Sequence, residues 1–324
     1  MNFIVLDLEW NQCPSGKEHE IPHLPFEIIE IGAVRLNDQH HPTEQFHEII
    51  CPKVYQTLHS KTKEVVQLSD TDFQSARGFS DVIKDFFDWC GKDPLFCTWG
   101  SADLIELQRN LTYYDLASPF SFPLIYYDIQ KIFSIVFEDR KSRRSLEYAI
   151  DFLEIPKPIP FHSALSDAIY TARIVSRLKN SHILKNSSVD YYRTPASRRQ
   201  EIHLHYPTYE KFISKPFESK TAAMKDRVVT STICRRCHKT AQKKVRWFPA
   251  GSKNYYCLSI CEKHGYLKGK IRIRQNEQGQ YYAIKTLKLI SPEDAYEIIE
   301  KKEIQKLKHR LRRKLIPQNE TAVQ

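Results

Sequence analysis

Long apolar runs are missing from this chain of 324 residues. No segment approaches the roughly 20 consecutive apolar residues of a membrane-spanning helix, and the start lacks the pattern of a secretory signal peptide. The sequence also contains no internal repeat and no low-complexity tract. These absences exclude an integral membrane protein and argue against secretion. We therefore expect a cytoplasmic protein with no membrane partner.

Charge is divided unevenly along the chain. Residues 1–180 contain 18 Lys and Arg against 26 Asp and Glu, whereas residues 181–324 contain 31 against 13. An acidic first part suits a metal site, and a strongly basic second part suits a polyanion. A basic surface also aids solubility, but so strong an asymmetry favours nucleic acid as the partner.

The first apolar run ends in two carboxylates one residue apart. Residues 3–10, Phe-Ile-Val-Leu-Asp-Leu-Glu-Trp, are typical of a buried strand, and Asp7 and Glu9 would project to the same side about 7 Å apart. Two anions at the edge of an apolar core repel each other and cost desolvation energy. A divalent cation relieves both effects, and oxygen ligands indicate Mg²⁺ or Mn²⁺. A strand end exposed to water would explain the pair equally well.

Two further segments place acids near predicted helix starts. Residues 94–100 form a second short apolar run, and a helix with Asp103 in its first turn is predicted to follow. Residues 161–168 open an amphipathic helix, with His162 at its start and Asp167 about one turn inside it. Each feature alone has an ordinary explanation, since acids complement a helix dipole and a histidine before a helix is commonly a surface loop residue.

Together these segments resemble the DEDDh 3′→5′ exonucleases. That family includes the polymerase proofreading subunit, ribonuclease T and the Eri-type RNA-trimming enzymes. The motifs that carry the resemblance are Asp7-Leu8-Glu9, Asp103 after Thr98-Trp99-Gly100, and His162 ahead of Asp167. The residues of the motifs Leu8-Glu9-Trp10 and Thr98-Trp99-Gly100 are similar to those of the Eri-type branch. The resemblance covers about the first 180 residues.

The resemblance implies phosphodiester hydrolysis with two divalent ions. It implies that Asp7 bridges two Mg²⁺ or Mn²⁺ ions, and that Glu9 and Asp167 complete the site of the ion nearest the nucleophile. Asp103 would hold the second ion through water, and His162 would accept a proton as general base. The implied substrate is the 3′ end of single-stranded nucleic acid, with RNA slightly favoured over DNA and nucleoside 5′-monophosphates as products.

The order of predicted elements indicates an α/β domain. Strands are predicted near 3–8, 28–36, 45–50, 95–99 and 124–128, and helices near 79–90, 102–113, 129–137, 145–153 and 163–179. Short loops between the first three strands predict an antiparallel meander, whereas helices between the later strands favour parallel addition. The resemblance implies the same architecture, a ribonuclease-H-like mixed five-stranded sheet with flanking helices. Glu27 and Glu30 could serve as extra metal ligands, but their strand alternates acid with isoleucine, which favours a solvated face.

The basic second part is predicted to contain a small zinc-ribbon-like α+β module. The pair Cys234 and Cys237 is separated by nineteen residues from the pair Cys257 and Cys261, and this spacing fits one structural, tetrahedral Zn²⁺ site. His264 is an alternative ligand, because the three-residue gap in the second pair is uncommon. Four free thiols or a disulfide are the other interpretations, and a reducing cytosol argues against the disulfide.

Candidate nucleic-acid contacts lie near both predicted sites. Basic residues interleaved with aromatics follow the first cysteine pair, a pattern typical of single-strand binding, and the cations of residues 270–274 would share one strand face. The candidate contacts are Trp10, Trp99, Arg235, Arg236, Lys270, Arg272 and Arg274. Core packing would explain the tryptophans, and an ordinary solvated face would explain the cations.

The predicted organisation along the chain has five parts. They are an exonuclease domain over 1–180, a linker with short helices over 181–227, a zinc-ribbon-like module over 228–290, a basic amphipathic helix over 291–316, and a disordered tail over 317–324. The short helices are predicted around 195–203 and 209–213. In the amphipathic helix, Leu307, Leu311 and Leu315 form one stripe that is predicted to pack on the module.

Two hypotheses from other functional classes remain. In the first hypothesis, the chain is a regulator with an exonuclease-like fold, of the sporulation-inhibitor type. In the second, it is a nucleic-acid-binding protein whose basic zinc module is the main activity. Acids at all four motif positions, together with His162, favour the enzyme. The oligomeric state cannot be inferred from the sequence.

Overall fold

Two compact units make up the protein. The structure, a computed structural model, describes residues 1–66, 68–69 and 71–315. The first unit is Met1–Arg193, and the second begins at Thr194. Each unit contains a six-stranded sheet.

The first unit has the α/β architecture that the sequence predicts. Its strands are β1 (Phe3–Gln12), β2 (Phe26–Leu36), β3 (Pro42–Ile49), β4 (Leu95–Thr98), β5 (Ile125–Asp128) and β6 (Ser188–Val189). Its helices are α1 (Ser60–Val65), α2 (Phe79–Cys90), α3 (Ala102–Tyr113), α4 (Ile129–Phe137), α5 (Leu146–Phe152), α6 (Ala164–Ser176) and α7 (Asn180–Leu184). The sheet order is β3-β2-β1-β4-β5-β6.

The strand directions confirm the mixed, ribonuclease-H-like sheet. Strands β1, β2 and β3 form an antiparallel meander, and β4 and β5 add in parallel beyond β1. A sixth strand, β6, pairs antiparallel with β5, so the prediction of five strands is one short. Because β6 has only two residues, no alternating pattern in the sequence could reveal it.

Strand β1 lies between two apolar layers. Phe3 and Val5 pack into the core under α4, α5 and α6, whereas Ile4 and Leu6 pack into the core under α2 and α3. A strand covered on both faces has a continuous apolar sequence rather than an alternating one. The same alternation directs the side chains that follow, so Asp7 lies on the face that α6 covers.

The second unit is built on an antiparallel sheet. Its elements are β7 (Ile202–His205), β8 (Tyr209–Ile213), α8 (Lys220–Lys225), α9 (Arg227–Thr230), β9 (Gln242–Pro249), β10 (Asn254–Cys261), β11 (Gly265–Gln275), β12 (Tyr281–Leu289) and α10 (Pro292–Leu315). The sheet order is β7-β8-β12-β11-β10-β9, with antiparallel pairing throughout.

The segment predicted as a linker, 181–227, carries regular structure. It supplies β6 to the first sheet and β7 and β8 to the second. A short 3₁₀ helix, Arg198–Gln200, lies within the predicted 195–203, whereas the helix predicted around 209–213 is wrong, because these residues form β8. Strand β8 pairs with β12, more than 70 residues further along the chain, and local sequence carries little trace of such distant pairing. The predicted tail, 317–324, lies outside the described residues.

Candidate active site and cysteine metal centre

Asp7 and Glu9 emerge from the edge of the first core layer. They lie on the same face of β1 as Phe3 and Val5, and the strand continues to Gln12. A β-bulge interrupts the pairing with β2 directly after Glu9, a feature that often accompanies functional sites. The pair therefore belongs to the covered part of the sheet and not to a solvated strand end.

Helix α6 brings a third carboxylate to this pair. Asp167 lies in its first turn, and ligand oxygens of Asp7, Glu9 and Asp167 all lie within 4.8 Å of one another. Gly32 of β2 pairs with Asp7 and places no side chain between the sheet and the helix. Three acids from two distant segments thus meet in one cluster.

Asp103 is buried beside the cluster. It lies in the first turn of α3, and its Oδ1 accepts a hydrogen bond from the backbone N–H of Leu8, between the two acids of β1, at 3.3 Å. Among the described residues it is not part of the group that meets within 4.8 Å. Asp103 therefore lies beside the three-carboxylate cluster without being one of its members.

The cluster disfavours negative charge in the absence of a cation. Burial raises the pKa of Asp7 well above its usual range, and nearby carboxylates, Asp103 the strongest, raise it further. Burial and then Glu30 raise the pKa of Glu9 to about 8. Burial is also the main cause that raises the pKa of Asp103 to about 7 and that of Asp167 to about 6. A divalent ion with oxygen ligands fits this set, because it offsets both burial and repulsion.

His162 stands at the entrance to the same helix. Its backbone has a φ of 69°, which is unusual for a residue with a side chain, and its backbone N–H donates to Oδ1 of Asp167 at 3.4 Å. The residue is exposed. This geometry leaves the imidazole accessible to solvent next to the carboxylate cluster.

Comparison with protein families decides the assignment of the first unit. The model of the RNase T exonuclease family matches residues 4–175, more than half of the chain. The chain belongs to this exonuclease family. Its motifs are those of the DEDDh branch, as the sequence predicts. A search of curated proteins found no match.

Several solved exonuclease structures are similar to the chain. The nuclease domain of 3′hExo, a DEDDh family member bound to rAMP, is 22% identical with a TM-score of 0.47, over 54% of this chain and 90% of that one. Cell-death related nuclease 4 (CRN-4) is 17% identical with a TM-score of 0.49, over 74% and 87%. E. coli Exonuclease I in complex with a 5cy-dT13 oligonucleotide is 16% identical with a TM-score of 0.41, over 54% and 40%.

Membership of the RNase T exonuclease family establishes the general class of the protein. The chain is a nuclease, a hydrolase of phosphodiester bonds, and the family depends on divalent metal ions. The cluster of Asp7, Glu9 and Asp167 is a compatible place for such ions in the exonuclease unit.

Two acids of the exonuclease unit are buried where the sequence predicts a solvated face. Glu27 is 1% exposed and so is Glu30. The Glu27 carboxylate accepts hydrogen bonds from the backbone N–H groups of residues 53–55 and from the hydroxyl of Tyr114. The solvated-face prediction is wrong because β2 is covered on both faces, and its nearly continuous apolar stretch over residues 28–34 could have indicated this.

The two candidate tryptophans pack against the cores. Trp10 contacts the α2–α3 core layer and lies beside Phe26. Trp99 packs on the other layer, and its Nε1 donates to the carbonyl oxygen of Arg144 at 3.2 Å. Both are half-buried, so core packing accounts for their presence.

A second metal-ligating group lies in the second unit. Ligand atoms of Cys234, Cys237, Cys261 and His264 all lie within 4.8 Å of one another. His264 Nδ1 is 3.4 Å from Cys234 Sγ and 3.6 Å from Cys261 Sγ, and the sulfurs of Cys237 and Cys261 are 3.6 Å apart. Tetrahedral zinc, with bonds of roughly 2.3 Å to sulfur and 2.0 Å to nitrogen, requires separations of this size.

Cys257, predicted as a zinc ligand, is not part of this group. It lies on β10 four residues before Cys261, and an extended strand separates such residues by about 13 Å. Its sulfur is buried against Gly269 of β11, and burial raises the pKa of the Cys257 thiol to about 12. Cys261 and His264 therefore both belong to the group, and the prediction that one of them alone completes a set with Cys257 is wrong.

Two similar turns present the four ligands. The backbone N–H of His238, just after Cys237, donates to the carbonyl oxygen of Cys234 at 2.8 Å, and His238 has a positive φ of 55°. The second turn runs from Cys261 to His264 and ends at Gly265, with a φ of 79°. Each turn thus contains two ligands three positions apart and is followed by a residue with a left-handed backbone conformation.

The electrostatics of the second turn favour a thiolate. Burial raises the pKa of Cys261, but hydrogen bonds from the backbone N–H of Lys263 and from the side chains of Cys237 and His264 outweigh this effect. The net result is a pKa of about 6. A thiolate is the form in which cysteine binds metal.

The basic candidate residues have different surroundings. Lys270 and Arg272 are exposed on one face of β11, and Lys270 Nζ lies 5.9 Å from the ring centre of Tyr256 on β10. Arg274, on the same face of β11 as Lys270 and Arg272, is half-buried. Arg236, outside this strand, is exposed. Arg235 instead donates to the carbonyl oxygens of residues 206 and 207, so its guanidinium holds a loop.

Helix α10 does not pack its leucines on the sheet. Ala295 and Ile298 make the apolar contact, whereas Leu307 is 56% and Leu311 is 51% exposed. Nine residues of helix turn a side chain by about 180°, so Leu307 lies opposite Ile298. The predicted packing of this stripe is therefore wrong, and the side chain of Leu315 lies outside the described set.

Across the described part of the chain, no helix is both long and apolar enough to span a bilayer.

Proposed function

We propose that the protein is a 3′→5′ exonuclease that releases nucleoside 5′-monophosphates from single-stranded nucleic acid. The observation that carries this proposal is the meeting of Asp7, Glu9 and Asp167 within 4.8 Å at the edge of the core. Without a cation, such a group of half-buried carboxylates is unfavourable. Its persistence in a nuclease fold is explained by divalent ions, proposed here to be two Mg²⁺ or Mn²⁺.

Each acid has a proposed part in holding these ions. By the resemblance of the motifs, Asp7 would bind both ions, and Glu9 and Asp167 would complete the site nearest the attacking water. Asp103, which lies beside the group and bonds to the Leu8 N–H, would hold the second ion through water. When bound, two such ions supply positive charge to the scissile phosphate and to the leaving oxygen.

His162 is the proposed general base. It is exposed at the start of α6, and its backbone is bonded to the carboxylate of Asp167. An accessible imidazole beside the cluster can take the proton from the attacking water and return it to solvent. The free 3′ end of the strand would lie between this imidazole and the acids of β1.

The proposed polarity and sugar preference rest on the motifs. Asp7, Glu9, Asp103, His162 and Asp167 are the motif positions of the DEDDh 3′→5′ exonucleases. RNA is slightly favoured over DNA because the residues around Glu9 and Trp99 are similar to the Eri-type branch.

The second unit is proposed to bind the strand and to hold one structural Zn²⁺. Cys234, Cys237, Cys261 and His264 fill a tetrahedral shell and leave no position for substrate. Exposed cations of β11 beside Tyr256 offer phosphate pairing together with a ring for base stacking. A site that needs reduced thiolates is consistent with the proposed cytoplasmic location.

A cleavage assay with single-stranded RNA and DNA oligomers tests this function. Wild-type protein with Mn²⁺ or Mg²⁺ is expected to release 5′-monophosphates, faster from RNA, and to stop when the ion is omitted. His162→Ala is expected to bind Mn²⁺ normally and to cleave roughly 100-fold or more slowly. Intact oligomers with wild-type protein and both ions would refute the enzyme and favour a regulatory role. Near-normal turnover by His162→Ala would remove the histidine from its role.

A further inference from the structure

The hydroxyl of Ser163 is not used by the helix that it precedes. A serine directly before a helix ordinarily accepts a hydrogen bond from a backbone N–H of the first turn. Ser163 makes no such bond with α6. It donates instead to Oε1 of Glu30 on β2, at 2.8 Å and 133 positions away in sequence. This bond ties the start of α6 to the sheet.

Glu30 is well placed to hold that helix start. It faces Glu9 directly across the β1–β2 pair, so both side chains project from the same face of the sheet. Oε1 of Glu30 also lies 2.8 Å from His47 Nε2 on β3. With its side chain only 2% exposed, Glu30 cannot exchange these partners readily for water.

We propose that Glu30 is a positioning residue, which through Ser163 fixes where Asp167 stands relative to the acids of β1. His162 immediately precedes Ser163, and its backbone N–H donates to Asp167. The inference rests on the proposed function, because the residues positioned are those assigned there to bind divalent ions and to accept a proton.

Glu30 contacts the helix start through Ser163, and its other carboxylate oxygen, Oε2, has no hydrogen-bond partner among the described residues. Among the described residues, it lies outside the group of carboxylates that meets within 4.8 Å. Its Oε1 is engaged by both Ser163 and His47, which fix the carboxylate from the helix side and from the β3 side. Partners that orient ligand-bearing groups in this way commonly contribute 10–100-fold to metal affinity or activity.

The variant Ser163→Ala tests the tether while leaving every proposed ligand in place. We expect its Mn²⁺ affinity, measured by titration calorimetry, to fall about 10-fold or more. In the nuclease assay kcat should fall by a similar factor with little change in KM, because the proposed strand contacts on β11 remain. Ser163→Thr, which keeps a hydroxyl, should restore both values. Ser166→Ala, on the same helix, is the matched control and should behave as wild type.

The variant Glu30→Gln completes the test, with its melting temperature measured alongside. Lower Mn²⁺ affinity in both Glu30→Gln and Ser163→Ala supports the tether, and wild-type affinity in Ser163→Ala overturns it. If Glu30→Gln fails to fold, Ser163→Ala alone decides. If wild-type protein binds Mn²⁺ but cleaves nothing, the proposed function fails, whereas the affinity of Ser163→Ala still reports on the position of Asp167.

Discussion

Gly32 lies directly beneath the peptide bond that joins Ala164 to the next residue of α6. A Cβ atom at Gly32 would come within 2.1 Å of the carbonyl carbon of Ala164, far inside van der Waals contact. Gly32 is also the β2 partner of Asp7. The close approach of helix and sheet, on which the carboxylate cluster depends, therefore requires glycine at this position.

Replacement of Gly32 by alanine should push α6 away from the sheet. Overpacking of this kind costs about 1–3 kcal/mol, so the melting temperature should fall, and Mn²⁺ binding should weaken because Asp167 moves away from Asp7. Thermal denaturation and titration calorimetry measure the two effects. Gly78→Ala is a suitable control, since its Cβ would meet only the flexible end of Lys53 at 3.1 Å. Wild-type Mn²⁺ affinity in Gly32→Ala would contradict this account of the site.

The carboxylate cluster should make the stability of the protein depend on pH. The pKa of Glu9 is about 8 and that of Asp167 is about 6 in the folded state, whereas carboxyls of an unfolded chain lose their protons near pH 4. Above about pH 4, the folded state without divalent ions therefore binds more protons than the unfolded state. The free energy of unfolding should therefore fall as the pH rises from about 4 to 8. Added Mn²⁺ should stabilise most at pH 8.

Denaturation at several pH values, with no divalent ion added, measures this dependence. The double variant Glu9→Gln, Asp167→Asn removes two of the raised groups and should show a flatter dependence and little response to Mn²⁺. An unchanged slope in that variant would show that these carboxyls do not govern the pH dependence.

The zinc content of variants should separate the four proposed ligands from Cys257. Purified wild-type protein is expected to contain about one zinc ion, as a closed tetrahedral site requires. Cys261→Ser and His264→Ala should lose most of it and melt at lower temperature, because the site stabilises two turns. Cys257→Ala should keep its zinc. Metal analysis decides, and zinc loss in Cys257→Ala together with retention in His264→Ala would restore the cysteine-only set.

The exposed cations of β11 should contribute to strand binding and not to chemistry. The double variant Lys270→Ala, Arg272→Ala should bind single-stranded oligomers more weakly. The slope of log affinity against log salt should decrease by roughly 0.7 for each phosphate that the variant no longer neutralises. Its kcat on very short oligomers should be unchanged.

Lys225→Ala is the control for that experiment. Lys225 is exposed on α8, and α8 packs through Ala223 on the opposite face of the same sheet, beside Ile271 and Ile273. Equal salt slopes for wild type and the β11 variant would show that this face does not bind the strand.

How far the sequence predicts the structure differs between the two units. The acids of β1 and the helix that carries Asp167 are local patterns that the sequence predicts, whereas the meeting of Asp167 with the acids of β1 is implied only by the resemblance to the exonucleases. The contact between Glu30 and Ser163 joins residues 133 positions apart, and only the folded sheet reveals it. The apolar stretch around Glu30 could have indicated that it is buried, but not which residue it contacts.

The errors in the second unit have the same origin. Cys257 fits the spacing of a zinc ribbon, but spacing does not show that β10 is extended from Cys257 to Cys261 and so carries the two sulfurs apart. Likewise, β8 is a strand because β12 pairs with it, and no pattern within residues 209–213 distinguishes a strand from a short helix.

The most direct test of the central claim is the pattern of products from a 5′-labelled single-stranded RNA incubated with Mn²⁺. If Asp7, Glu9 and Asp167 form the site of a 3′→5′ exonuclease, the label should move down a ladder of fragments that shorten one nucleotide at a time from the 3′ end. Asp7→Asn should stop this progression, with a rate loss of about 1,000-fold, since the lost charge stabilisation is worth several kcal/mol. Release of the label as a mononucleotide at the outset, internal cutting, or an unchanged ladder with Asp7→Asn would contradict the account.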